Sequence, residues 1–116
     1  MKALIILNEP AYGNERTYNG MRLALWLAKS EGVELRVFLM GDSVTAAKPG
    51  QKTPEGYYNL ERMLRGLATK EVAVGACGTC MDARGLTDVD LLAGAHRSSM
   101  AELTTWTIWA DKVITF

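Results

Sequence analysis

Short apolar runs alternate along this chain with segments of helical periodicity, and that alternation limits the possible folds more than any single motif. Residues 3–7, 34–40 and 71–75 are brief stretches rich in Val, Ile, Leu or Phe, each closed by a turn former, and residues 112–116 read the same way. Continuous apolar runs of this length suit strands covered on both faces. Between them, Met21, Ala24, Leu25 and Ala28 recur at i, i+3, i+4 and i+7, and Leu60, Met63, Leu64 and Leu67 repeat the spacing. Leu103, Trp106, Thr107 and Ala110 form a weaker third stripe, with Ser99 and Glu102 spaced as a capping box at its start. A short helix is expected over residues 80–84, ended by Gly85, and a short strand over 90–92. Strands that alternate with helices imply βαβ units, right-handed crossovers and a mainly parallel sheet.

The length of 116 residues is enough for one domain, residues 1–116, and too short for two. Thirteen basic residues balance thirteen acidic ones, so no electrostatic footprint for nucleic acid is present, and no nucleic-acid partner is expected. No apolar run approaches the roughly 18 residues that cross a bilayer, so no membrane partner is expected. The run after Lys2 is broken by Asn8, Glu9 and Pro10 and reads as a first strand rather than a secretory signal. A cytoplasmic location is expected, where thiols are normally reduced. Two cysteines three residues apart are therefore not expected to staple the fold.

Those cysteines, in Cys77-Gly78-Thr79-Cys80, carry the strongest chemical signal. Ligands of open α/β sheets bind outside the carboxyl ends of the strands. Cys77 follows the third apolar run and precedes a helix, so it falls at that edge. Helix N-terminal N–H groups favour an anion, and they lower a thiol pKa from its usual value near 8.5. Gly78 leaves the backbone open to a bulky sulfur donor. Thr79 either caps the helix or hydrogen-bonds the sulfur. Cys80, one turn on, is placed to attack or resolve. Spacing alone equally fits two structural thiols, because free cysteine behaves as a small buried hydrophobe. A metal site would have to join Cys77 and Cys80 with His96 and Asp82 or water, short of the usual four Cys or His ligands. His96 alone is read as a hydrogen-bonded structural histidine. No metal and no cofactor are expected, since no dinucleotide or P-loop fingerprint is present.

Gly41, Asp42 and Ser43 follow the second apolar run and share the same sheet edge, as do Asn8 and Tyr12 of the first loop. Residues 41–54 form the one long irregular segment, with a short helix expected over 43–47 and a loop that serves either as a lid or as a solvated connection. Tyr57 and Tyr58 are expected to open the second helix. Trp106 and Trp109 are expected in the core or at a subunit contact.

Taken together, the chain resembles the DsrE/DsrF-like family, which includes sulfur-relay subunits and YchN-like proteins. The resemblance rests on Gly41-Asp42-Ser43-Val44, on Gly50-Gln51-Lys52-Thr53-Pro54 and on Tyr58-Asn59-Leu60-Glu61-Arg62-Met63-Leu64. It continues through Cys77-Gly78-Thr79-Cys80-Met81-Asp82-Ala83-Arg84-Gly85 and the ending from Ser99-Met100 to Ala110-Asp111-Lys112-Val113. It implies a three-layer α/β/α sandwich with a five-stranded, mainly parallel sheet, Rossmann-like in outline. It also implies cytoplasmic oligomers, commonly trimers or hexamers. In relay members a cysteine after the third strand carries a persulfide, and an Arg-Gly follows it. Counting back from Arg84-Gly85, Cys77 matches that position. Cys80 has no counterpart in the relay subunits and matches the CGTC-type members instead. The expectation is thus a sulfur carrier or sulfurtransferase with a persulfide on Cys77, Cys80 as auxiliary thiol, and a sulfur donor or acceptor protein as partner. The competing expectation is a redox-responsive or ligand-binding oligomeric module. A third is an assembly subunit with inert thiols.

Overall fold

The structure is a computed structural model and describes residues 1–116. Five strands, β1 (Lys2–Leu7), β2 (Glu34–Leu39), β3 (Ala73–Cys77), β4 (Ala95–Ser98) and β5 (Lys112–Thr115), form one sheet in the order β4-β3-β2-β1-β5. Every adjacent pair is parallel. Four α-helices connect them: α1 (Arg16–Lys29), α2 (Leu60–Ala68), α3 (Gly78–Asp82) and α4 (Met100–Trp109). Residues Gly41–Ala47 and Asp88–Asp90 add two 3₁₀ turns.

The three layers follow from strand alternation. Leu7 pairs in register with Leu39, and a Cβ built on Gly20 of α1 would strike the Leu7 side chain, so α1 lies on that face. Phe38, next to Leu39, points to the other face, where it meets Trp106 of α4 edge-on. α2 packs beside α1. The crossovers from β1 through β4 all step in one direction, whereas β4 to β5 returns across the sheet. Right-handed connections therefore leave α4 alone on its face. Ala3, Leu4, Ile5, Val37, Phe38, Leu39, Val74 and Ala76 are buried in the middle.

All but one of the expected strands and helices are present, with shifts that matter for the site. The third strand is not 71–75 but runs to Cys77, because Gly75 is a packing residue rather than a terminator. A side chain there would press on Ser98 and Trp106 at 3.1–3.2 Å. The expected strand at 90–92 is absent. Asp88–Asp90 turn instead, with the Thr87 hydroxyl and N–H both bonded to the Asp90 carboxylate. The fourth strand is instead Ala95–Ser98, whose His96 and Arg97 carry no apolar run because β4 is an edge strand exposed along much of its length. The short helix begins at Gly78 rather than 80. Tyr57 and Tyr58 precede α2, which is capped by Asn59 accepting the Arg62 N–H at 3.0 Å. The capping box at α4 is half formed. Ser99 accepts the Glu102 N–H at 3.2 Å, but the Glu102 carboxylate turns to Ser98 and His96. No helix is long and apolar enough to cross a membrane.

Candidate functional site

Cys77 is both the last residue of β3 and the N-cap of α3. Its Sγ accepts the Cys80 N–H at 3.4 Å and lies 3.4 Å from the Thr79 hydroxyl. An N-cap side chain must accept from the first turn's free N–H groups, a job normally done by Ser, Thr, Asp or Asn. A sulfur in that role gains most when it is anionic. Burial pushes the Cys77 thiol up, but hydrogen bonds from the Cys80 thiol, the Thr79 hydroxyl and the backbone N–H groups of Cys80 and Thr79 outweigh it. The result is a thiol held below its ordinary range. Thr79 therefore acts on the sulfur, and Cys77, not Thr79, caps the helix.

Cys80 is the mirror case. Burial and its hydrogen bond to the Cys77 sulfur push its thiol up, and the Gly41 N–H, donating to Cys80 Sγ at 3.2 Å, only partly offsets this. The two free cysteines are thus unequal: Cys77 is the better thiolate and Cys80 the proton donor beside it.

Each thiol has its own surroundings. Cys77, Gly78 and Thr79 line a cavity of about 290 Å³ together with Phe38, Met40, Arg97, Ser98, Ser99 and Met100. Cys80 faces the 3₁₀ turn after β2. There Gly41 holds its sulfur, and Arg84 joins Asp42, by Nε at 3.0 Å and Nη2 at 2.6 Å, to the Cys80 carbonyl at 2.9 Å. Gly41 has φ +57 and Gly85 φ +67, left-handed values that favour glycine at the two turns framing this arrangement. Ser43 is fully buried and its hydroxyl has no hydrogen-bond partner.

The first-loop residues are not brought to the thiols. The Asn8 side chain donates to the Phe116 carbonyl at 3.1 Å and fastens the end of β5. The Tyr12 hydroxyl accepts the Leu60 N–H at 3.1 Å, and its ring stacks on Tyr58 at 5.5 Å between centroids. The long loop does not cover Cys77 either. Lys48, Pro49, Gly50 and Gln51 line a separate cleft of about 450 Å³ with Thr45, Arg84 and Leu86. No three His, Cys, Asp or Glu side chains are gathered as a metal-holding group. His96 pairs with Glu102, and Asp82 with Arg97, so neither is turned to the cysteines.

Sequence reading missed Arg97. Its Nη1 and Nη2 grip the Asp82 carboxylate at 2.9 Å each, clamping β4 to α3. The space beside Gly78, read as open to a sulfur donor, is occupied: a Cβ there would lie 2.9 Å from Arg97 Cζ and Nε and from the Ser98 carbonyl. Gly78 admits this guanidinium and the neighbouring strand, not a donor. No local pattern marks Arg97, because its importance depends on β4 lying against β3, where Cys77 pairs with Ser98.

Protein YchN of Escherichia coli (strain K12) is 44% identical over 116 residues, which span 99% of this chain and 98% of YchN. An uncharacterised protein of Methanocaldococcus jannaschii is 37% identical over 116 residues, the full length of both. The crystal structure of E. coli YchN superposes with a TM-score of 0.93, covering 99% of this chain and 98% of that one. A protein of unknown function from Methanobacterium thermoautotrophicum shares the fold at 16% identity, with a TM-score of 0.77 over 99% of this chain and 98% of its own. The DsrE/DsrF-like family matches residues 1–116, and the chain belongs to that family.

Proposed function

We propose that this protein is a sulfur carrier, a sulfurtransferase in the broad sense, that holds sulfane sulfur as a persulfide on Cys77. The observation that carries the reading is the Cys77 sulfur at the strand-to-helix junction, capped by the first turn's N–H groups, lowered in pKa and opening on a cavity. In the loading step the Cys77 thiolate attacks the outer sulfur of a donor persulfide, R–S–SH. The new Cys77–S–SH bond forms, R–S⁻ leaves, and no net oxidation occurs. The sulfur then passes to an acceptor thiolate by the same exchange. Alternatively the Cys80 thiol attacks the inner sulfur, which yields the Cys77–Cys80 disulfide and H₂S, and a dithiol reductant must then reset the pair. Thiolate reactivity governs all of these steps.

The test is intact mass after incubation with a sulfane sulfur donor. An adduct of about one sulfur atom is expected in the native protein and none in Cys77→Ser. Absence of the adduct, or its persistence in Cys77→Ser, overturns the proposal.

Two free thiols one turn apart, with the Cys80 N–H on Cys77 Sγ at 3.4 Å, also support a redox-responsive or ligand-binding module without transfer. Its measure is the reduction potential of the pair. A value of roughly −300 mV or lower would keep the pair oxidised under cytosolic conditions and end that reading. Association into a homo-oligomer, the trimer or hexamer that the family resemblance implies, belongs to the same proposal. The exposed apolar side chains of Met100 and Ile108 on α4 and Val113 on β5 supply the surface. A reducing, cytoplasmic setting suits two free cysteines.

A further inference from the structure

We propose that the cavity beside Cys77 selects small, negatively charged sulfur compounds, with the Nε–H edge of Arg97 receiving their charge. This rests on the reading of Cys77 as the nucleophile and names the substrate class: low-molecular-weight persulfides that carry a carboxylate.

Three observations support it. The cavity, at about 290 Å³, sits at the small end of ligand pockets, which run roughly 300–1,000 Å³. It admits a small molecule more readily than a segment of protein. Its lining is divided. Phe38, Met40 and Met100 offer an apolar wall for a methylene chain, and Arg97 offers a cation. Two of the hydroxyls around that cation are already engaged: Thr79 Oγ1 lies 3.4 Å from Cys77 Sγ, and Ser98 donates to Glu102 at 2.6 Å. Arg97 spends Nη1 and Nη2 on Asp82, yet no protein group takes its Nε–H. The Nε–Cζ group packs on Gly78, one residue from the nucleophile, and Arg97 lines the same cavity as Cys77. A guanidinium presents its donors in a fixed plane and suits a carboxylate.

Loading then balances as before. The thiolate takes the outer sulfur of ⁻OOC–R–S–SH, giving Cys77–S–SH and ⁻OOC–R–S⁻, while Arg97 holds the carboxylate throughout and exchanges no electrons.

The experiment needs no sulfur transfer. Cys77 in the full chain is alkylated with iodoacetate, which is anionic, and with iodoacetamide, which is neutral and of similar size. Rates at Cys77 are read by peptide mass spectrometry. Thiolate formation affects both reagents equally, so their rate ratio isolates the charge of the cavity. Arg97→Gln is expected to lower the iodoacetate-to-iodoacetamide ratio by about threefold, the size of one solvent-exposed charge at short range. Asp82→Asn removes the competing carboxylate and is expected to raise the ratio. If both reagents slow equally in Arg97→Gln, Arg97 is only a structural clamp and the proposal fails. If Arg97→Gln does not fold, Asp82→Asn decides alone, and an unchanged or lower ratio overturns the proposal. A selective ratio without persulfide formation would keep this pocket and remove sulfur carriage. A persulfide without selectivity would do the reverse.

Discussion

Replacing Gly78 with alanine puts a methyl group into space already filled from two sides. The added Cβ would lie 2.9 Å from Arg97 Cζ and Nε, which belong to a side chain, and 2.9 Å from the Ser98 carbonyl, which is backbone of β4. The guanidinium could swing away only by leaving Asp82, and the carbonyl could retreat only by shifting β4 against β3. Overpacking of this kind costs roughly 1–3 kcal/mol. The opposing effect is smaller. Gly78 does not have a positive φ, so alanine is allowed there, and loss of glycine's freedom in the unfolded chain stabilises by about 0.4–1 kcal/mol. Steric cost therefore wins, and Gly78→Ala is expected to be destabilising. With an unfolding entropy near 2.1 cal/mol/K per residue, 116 residues convert each kcal/mol into about 4 °C of Tm. Taking the middle of each range, about 2 against about 0.7 kcal/mol, a net fall of roughly 5 °C is expected in calorimetry. Alkylation of Cys77 should change with it, because Arg97 and the helix start move. A Tm that is unchanged or higher, with unaltered Cys77 rates, would refute the close packing of Arg97 and β4 on Gly78.

Cys80→Ala removes the thiol that donates to Cys77, so the Cys77 titration is expected to move up toward the ordinary thiol value near 8.5. In the native protein Cys77 labelling should fall off only as pH drops through a midpoint below that value, and the pH–rate profile of alkylation compares the two. Ser99→Ala deletes the α4 cap and should cost about 1 kcal/mol, read as roughly 4 °C of Tm. A loss much smaller than this would mean that α4 is held by Leu103 and Trp106 alone. Ile108 is 81% exposed, so Ile108→Lys should leave the fold within about 0.5 kcal/mol while reducing the particle size in sedimentation if the α4 face joins copies. Unchanged size would take α4 out of the interface.

The sequence by itself determined the layer plan and the place of the thiol pair. Periods of 3.6 residues and unbroken apolar runs are properties of neighbours in the chain, so helices α1, α2 and α4 and strands β1, β2 and β5 could be read directly. The position of Cys77 at the carboxyl edge followed from the same local order. What the sequence could not give depends on residues far apart in the chain. The strand at Ala95–Ser98 is polar because it is an edge, and only pairing with β3 makes it a strand. Gly75 and Gly78 looked like punctuation or open backbone, yet Trp106, Ser98 and Arg97 press on them from distant segments. Asn8 and Tyr12 shared the edge but bond to Phe116 and Leu60 instead. The two thiols were separated in role by spacing and family resemblance, but their chemical inequality comes from tertiary contacts. The Gly41 N–H and burial act on Cys80, and the Cys80 thiol and Thr79 act on Cys77. Local periodicity records which face of an element is apolar; only the packed fold decides which charge or donor reaches a given sulfur.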